Sequence, residues 1–170
     1  RFTRRNRPRV ESAVDSHVAT PLHLVLVQPE IPHNTGAIGR LCVGLDCELH
    51  LIRPLGFQLA DRHLQRAGMD YWPQVRLTLH DTWQAFLERV DPPQLILLST
   101  HGQQSLYDCR FVPGAALVFG NESRGLPAEL RAQYRERLFK IPMPGEHARS
   151  INLANAAAIA AYEAYRQFTR

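Results

Sequence analysis

The tightest constraint on the fold is a series of short, almost wholly apolar runs spaced along the chain. Leu22–Val27 reads LHLVLV, 94–99 reads QLILLS and Ala115–Phe119 reads AALVF. Such runs fit strands buried on both faces, as in a parallel sheet, rather than the alternating pattern of a half-exposed one. Glu48–Ile52 and 138–141 look like further strands, and 75–79 like a weaker one. Helical patterns fall between them. Asn34 or Thr35 is placed to cap a helix carrying Ile38, Leu41, Cys42 and Leu45 on one face. Asp61 caps a short helix to residue 67, and Asp81 caps an amphipathic stretch over 82–90. Pro127 suits the first turn of a helix ending near Tyr134, and Ser150 caps a long alanine-rich helix over 151–168. Strands alternating with helices predict an α/β fold, with a mostly parallel sheet and helices on both faces. Ligands in such sheets bind beyond the carboxyl ends of the strands.

At 170 residues, the chain fits one domain. We expect a single domain over 21–170, preceded by a flexible arginine-rich extension over 1–20. No apolar run reaches the ~20 residues of a membrane span, and no apolar stretch follows the basic start, so neither a membrane segment nor a signal peptide is expected. Cys42, Cys47 and Cys109 are odd in number and irregularly spaced, which predicts reduced thiols in a cytoplasmic protein. The net charge of +4 is local in origin. Arg1, Arg4, Arg5, Arg7 and Arg9 supply five positive charges, and the rest of the chain holds 15 basic against 16 acidic residues. A broadly basic nucleic-acid face is excluded. RNA contact would need local patches, the arginine arm, or both.

Three segments carry chemistry. PEIPHNTGAIGR, residues 29–40, is a proline-stiffened loop running into a helix start, with Gly36 and Gly39 allowing close approach and Arg40 on roughly the same side as Asn34. LVFGNESRGLP, residues 117–127, ends a strand in a polar turn that exposes Glu122 and Arg124. IPMPGEHARSINLAN, residues 141–155, is an irregular loop entering the long helix, where Asn152, Asn155 and Tyr162 lie on or near one face. Taken singly, each also reads as an ordinary capped helix or connecting loop. There is no G-x-G dinucleotide loop, no P-loop, no nucleophile elbow, and no H-x3-H or H-E-x-x-H, so no metal is expected from such motifs.

Together, PEIPHNTGAIGRLC, FGNESRGLP, IPM…RSINLANA…YEAYRQ and DRHLQRAGMDYW resemble the SPOUT class of RNA methyltransferases. The closest resemblance is to the small single-domain family that 2′-O-methylates the wobble nucleotide, cytidine or uridine 34, of tRNA. The resemblance implies S-adenosylmethionine as methyl donor, no metal, tRNA as substrate and a homodimer. It also implies a C-terminal deep trefoil knot, which the usual rules of chain connection would not predict. It implies cofactor contacts at Leu98, Gly120, Ile141 and Ser150, substrate contacts at Asn34, Arg124 and Arg149, and catalytic roles for Arg40, Tyr162, Glu122 and Asn152. Arg40 would stabilise charge developing on the ribose oxygen, with Glu122 as a second-choice base. Methylation of another tRNA or rRNA position, and a non-catalytic RNA-binding factor on the same scaffold, stay open as alternatives.

Overall fold

The computed structural model describes residues 22–170, apart from the side chains at 68 and 69. The arginine-rich extension lies outside the described residues. The elements run β1 (Leu22–Val27), α1 (Pro32–Leu45), β2 (Glu48–Ile52), α2 (Arg62–Gly68), β3 (Leu77–His80), α3 (Trp83–Val90), β4 (Leu95–Leu98), β5 (Gln104–Ser105), β6 (Ala115–Phe119), α4 (Ala128–Gln133), β7 (Leu138–Lys140) and α5 (Leu153–Phe168). Seven parallel strands form one sheet in the order β3-β2-β1-β6-β4-β7-β5.

The apolar runs are explained by two cores. Successive side chains of a strand point to opposite faces. Leu24 and Leu26 of β1 join Leu49, Leu51, Leu117 and Phe119 under α1 and α5. Val25 and Val27 join Ile52, Leu97, Val118 and Phe86 under α3 and α4. Each fully buried Leu or Val removes enough apolar surface from water to contribute about 1.5–3 kcal/mol. The alanines of α5, Ala157, Ala160, Ala161 and Ala164, are buried in the first core and let the helix lie close to the sheet. All three cysteines are buried and free.

Several boundaries differ from expectation. β3 starts at Leu77, two residues late. β5 was not anticipated; its two residues, Gln and Ser, carry no apolar signal. Helix α1 begins at Pro32, whose fixed φ suits a first turn, so Ile31 is its N-cap and Asn34 lies inside the helix. Thr82, not Asp81, caps α3 by accepting from Ala85 N, while Asp81 pairs with Arg53 at 2.6 Å. Asn152, not Ser150, caps α5, accepting from Ala154 N at 2.9 Å and Asn155 N at 3.2 Å. For α3 and α5 two polar residues near the helix start could cap it, and the backbone path selects one.

Candidate functional site

The carboxyl ends of β1, β6, β4 and β7 surround a cavity of about 440 Å3. The turn after β6 forms one wall. Asn121 and Gly125 exchange backbone hydrogen bonds at 3.1 and 3.2 Å, and the Asn121 side-chain oxygen accepts from Arg124 N at 2.8 Å. Gly125 takes φ +70°, in the left-handed region that glycine enters without strain. The turn folds back so tightly on Gly120 that a Cβ there would sit 1.9 Å from the Gly125 carbonyl carbon and 2.0 Å from Leu126 N. Sterics confine that position to glycine, and Gly120 lines the cavity with backbone alone.

Glu122 leaves this turn towards the start of α1. Its carboxylate accepts from Glu30 N at 2.7 Å, Ile31 N at 3.0 Å and Asn34 Nδ2 at 3.3 Å. Those amides belong to the loop entering a helix whose own N-cap side chain, that of Ile31, has no acceptor. An anion from another segment therefore does the capping, where the helix dipole favours it. Ser123 strengthens the same junction by donating to the Glu30 carboxylate at 2.7 Å. Asn34 is buried and uses both ends of its amide: its nitrogen donates to Glu122, and its oxygen accepts from Asn152 Nδ2 at 3.1 Å. Asn152 in turn caps α5. One continuous chain of hydrogen bonds, Asn152–Asn34–Glu122, thus ties together the three segments singled out in the sequence.

Eight of the expected site residues line the cavity: Asn34, Leu98, Gly120, Glu122, Arg124, Ile141, Ser150 and Asn152. Three do not. Arg40 is exposed further along α1, its guanidinium carbon 5.6 Å from the ring centre of Tyr71. Tyr162 is exposed on α5 beside Tyr165, with ring centres 6.1 Å apart. Arg149 is exposed in the loop after β7. Sequence reasoning missed Thr100 and His101, which line the cavity from the loop after β4, and Glu30, which ties two walls together. The signal for the first two was available, since that loop leaves a strand at the same edge of the sheet.

The lining combines apolar side chains (Leu98, Ile141, Met143, Ile151, Leu153) with a few fixed polar groups, the usual composition of a small-molecule site of this size. Among the described residues, no cluster of three metal-binding side chains lies here. The backbone at Gly120 and the mixed lining fit a small molecule with both apolar and polar parts.

Comparison with known proteins agrees with that chemistry. The chain is 47% identical over 150 residues to a tRNA (cytidine(34)-2′-O)-methyltransferase of Polaromonas sp., covering 85% of this chain and 90% of the relative. It is 48% identical to the protein of the same name from Acidovorax sp., with 85% and 91% covered. A solved structure described as giving structural insights into the 2-OH methylation of C/U34 on tRNA superposes with a TM-score of 0.82 at 54% identity, covering 87% of this chain and 96% of that one. The methyltransferase AviRb from Streptomyces viridochromogenes, solved in complex with AdoMet, superposes with a TM-score of 0.79 at 25% identity, with 89% and 60% covered. The SpoU rRNA methylase family matches over residues 21–162, and with the three segments closed on one cavity by Asn152, Asn34 and Glu122, the chain belongs to that family.

Proposed function

We propose that this chain transfers the methyl group of S-adenosylmethionine to the ribose 2′-hydroxyl of nucleotide 34, cytidine or uridine, in tRNA, and that it works in the cytoplasm. The observation that carries the reading is the Asn152–Asn34–Glu122 chain, which closes three segments on one cavity in a protein whose relatives at 47–48% identity bear that activity in their names. Identity favours this reading over methylation of rRNA. The chain is 54% identical to the solved C/U34 structure but 25% identical to AviRb and to an rRNA methyltransferase from Sinorhizobium meliloti.

When bound, S-adenosylmethionine supplies an electrophilic methyl group on a sulfonium. Leu98, Gly120, Ile141 and Ser150, which line the cavity, would hold it. Glu122 fixes the loop before α1; its oxygens are occupied by three donors, which makes it a positioning residue rather than a base. Arg40 donates to the ribose oxygen as negative charge develops or to the adjoining phosphate, and the proton leaves to water or a phosphate oxygen. Alignment of nucleophile and methyl group supplies much of the rate. Arg124 and Arg149 contact RNA.

Arg40 and Tyr162 lie outside the cavity of a single chain, and Tyr162 and Tyr165 expose an aromatic face on α5. We read this as a homodimer in which the partner completes the site. We also read the chain as knotted. In support, β7 is inserted between β4 and β5 although those two are consecutive in sequence, and α5 is then held to the segment between β5 and β6 by Gln167, which donates to Cys109 O at 2.9 Å and accepts from Phe111 N at 3.0 Å.

Mass spectrometry of nucleosides from tRNA of a deletion strain tests the substrate, and an unchanged nucleotide 34 would reject it. Arg40→Ala is expected to lower turnover by about 100-fold or more while S-adenosylmethionine still binds, since the lost donor acts on developing charge. Near-normal turnover would remove Arg40 from the reaction.

A further inference from the structure

At the amino ends of the strands, on the far side of the sheet from the cavity, β1 and β2 bring three donor side chains together. His23 stands level with Glu48 in the parallel pair, and His50, two residues on, shares their face. His23 Nδ1 and His50 Nε2 are 3.0 Å apart, and Glu48 Oε2 lies 3.4 Å from the first and 3.5 Å from the second. A tetrahedral ion with bonds of about 2.0–2.1 Å needs its ligand atoms about 3.3 Å apart. The three atoms therefore already outline one face of such a tetrahedron.

We infer that His23 Nδ1, His50 Nε2 and Glu48 Oε2 form a binding site for a divalent transition metal of the zinc type, separate from the methyl-transfer site. The surroundings orient the ligands as metal sites do. His50 Nδ1 lies 3.0 Å from His80 Nε2, and a proton donated there leaves the other ring nitrogen of His50 with a lone pair facing the triad. His50 and His80 are buried, and both rings pack edge-on to Phe86, with centres 5.5 and 5.4 Å away. Burial lowers the proton affinity of His23 and His50, so the imidazoles stand in the neutral form that ligates metals.

A fourth position opens onto a cavity of about 390 Å3 that Arg76 and Arg89 also line. Arg76 is paired with Asp46 at 2.5 Å. The remaining positive potential opposes a bare dication and favours an anionic fourth ligand such as hydroxide or a carboxylate. The ligands come from two strands 25 residues apart, so they form none of the helical His motifs by which metal sites are found in sequence. The ion would tie β1 to β2 at the end of the sheet away from the reaction.

The test uses the full chain, stripped with a chelator and titrated with Co2+ and then Zn2+. One equivalent of Co2+ is expected to give the visible bands of a tetrahedral nitrogen–oxygen site. Zn2+ is expected to displace it and to raise the melting temperature. His23→Ala and Glu48→Gln should each weaken binding by at least about tenfold, and His63→Ala should leave it unchanged. Circular dichroism confirms that the variants are folded, and Glu48→Gln keeps the side-chain shape at a partly exposed position. The proposal is overturned if no bands appear at one equivalent, if they survive in His23→Ala, or if a thiolate charge-transfer band places the ion on a cysteine. In the first case the three histidines are a hydrogen-bonded row and nothing more.

Discussion

Glu122 can be a base or a clamp, and the two roles make different demands on its oxygens. A base needs a lone pair facing the substrate. Here the carboxylate already accepts from two backbone amides and the Asn34 amide. Glu122→Gln keeps one acceptor oxygen and turns the other into a donor facing N–H groups. We expect a loss of stability of about 1–3 kcal/mol, because a buried or half-buried polar group is left mispaired. S-adenosylmethionine should bind several-fold more weakly, and the pH–rate profile should keep its shape. A variant that binds cofactor normally but loses the acidic limb of that profile would show Glu122 to be the base after all. Sequence singled out Glu122, which lines the cavity, but could not assign its role. The role depends on which amides lie opposite, and those belong to residues more than 90 positions earlier. The same holds for Asn152: its spacing with Asn155 and Tyr162 was legible, but its work as both a helix cap and a partner of Asn34 was not.

The elements were more legible than their ends. Apolar runs marked β1, β4 and β6, since a strand buried on both faces is built mainly from apolar residues. β5 escaped because two polar edge residues gain their strand character from pairing with β7 alone. The turn after β6 shows how one residue can set an element. With Gly125 and Leu126 backbone atoms about where a Cβ would stand, Gly120→Ala must push the turn outward and move Glu122 with it. We expect a cost of about 3 kcal/mol or more and loss of measurable S-adenosylmethionine binding in calorimetry. Normal binding would mean that the turn is not part of the cofactor site. The last turns of α5 allow a prediction of pH dependence. Arg166 and Gln167 donate to the buried Glu163 at 2.6–3.0 Å and hold its carboxyl down to about 2, chiefly through the hydrogen bond from Arg166. A group with a depressed folded pKa stabilises above its unfolded pKa and loses that contribution as pH falls towards the folded value. Stability should therefore decline between about pH 4.5 and 2, and Glu163→Gln should flatten the decline in acid melts. An unchanged slope would show that the Glu163–Arg166 pair does not anchor the helix.

At the scale of the whole molecule, the distribution of charge limits how RNA can be met. Outside the first nine residues acids and bases nearly cancel, so a broadly basic face is not the source of affinity, and local groups, the arginine arm, or both must supply it. The sequence resemblance joined Arg40 and Tyr162 to the cavity residues, yet one chain keeps them apart, because a linear motif does not record whether its members meet within one copy or between two. If the site is completed by a partner, two defective chains should repair each other. Ile141→Trp fills the cavity and leaves that chain without cofactor, but it can still lend Tyr162. Tyr162→Ala leaves the cavity intact but lends no tyrosine. Each variant alone is expected to be inactive on tRNA. Denatured and refolded together, they should form mixed dimers with one working site each, and activity should rise as the two are mixed in equal amounts. Size measurement by light scattering on the same mixture must show a dimer. If the mixture stays inactive while dimers form, Tyr162 serves the cavity of its own chain, and the exposed aromatic face of α5 has only a packing role.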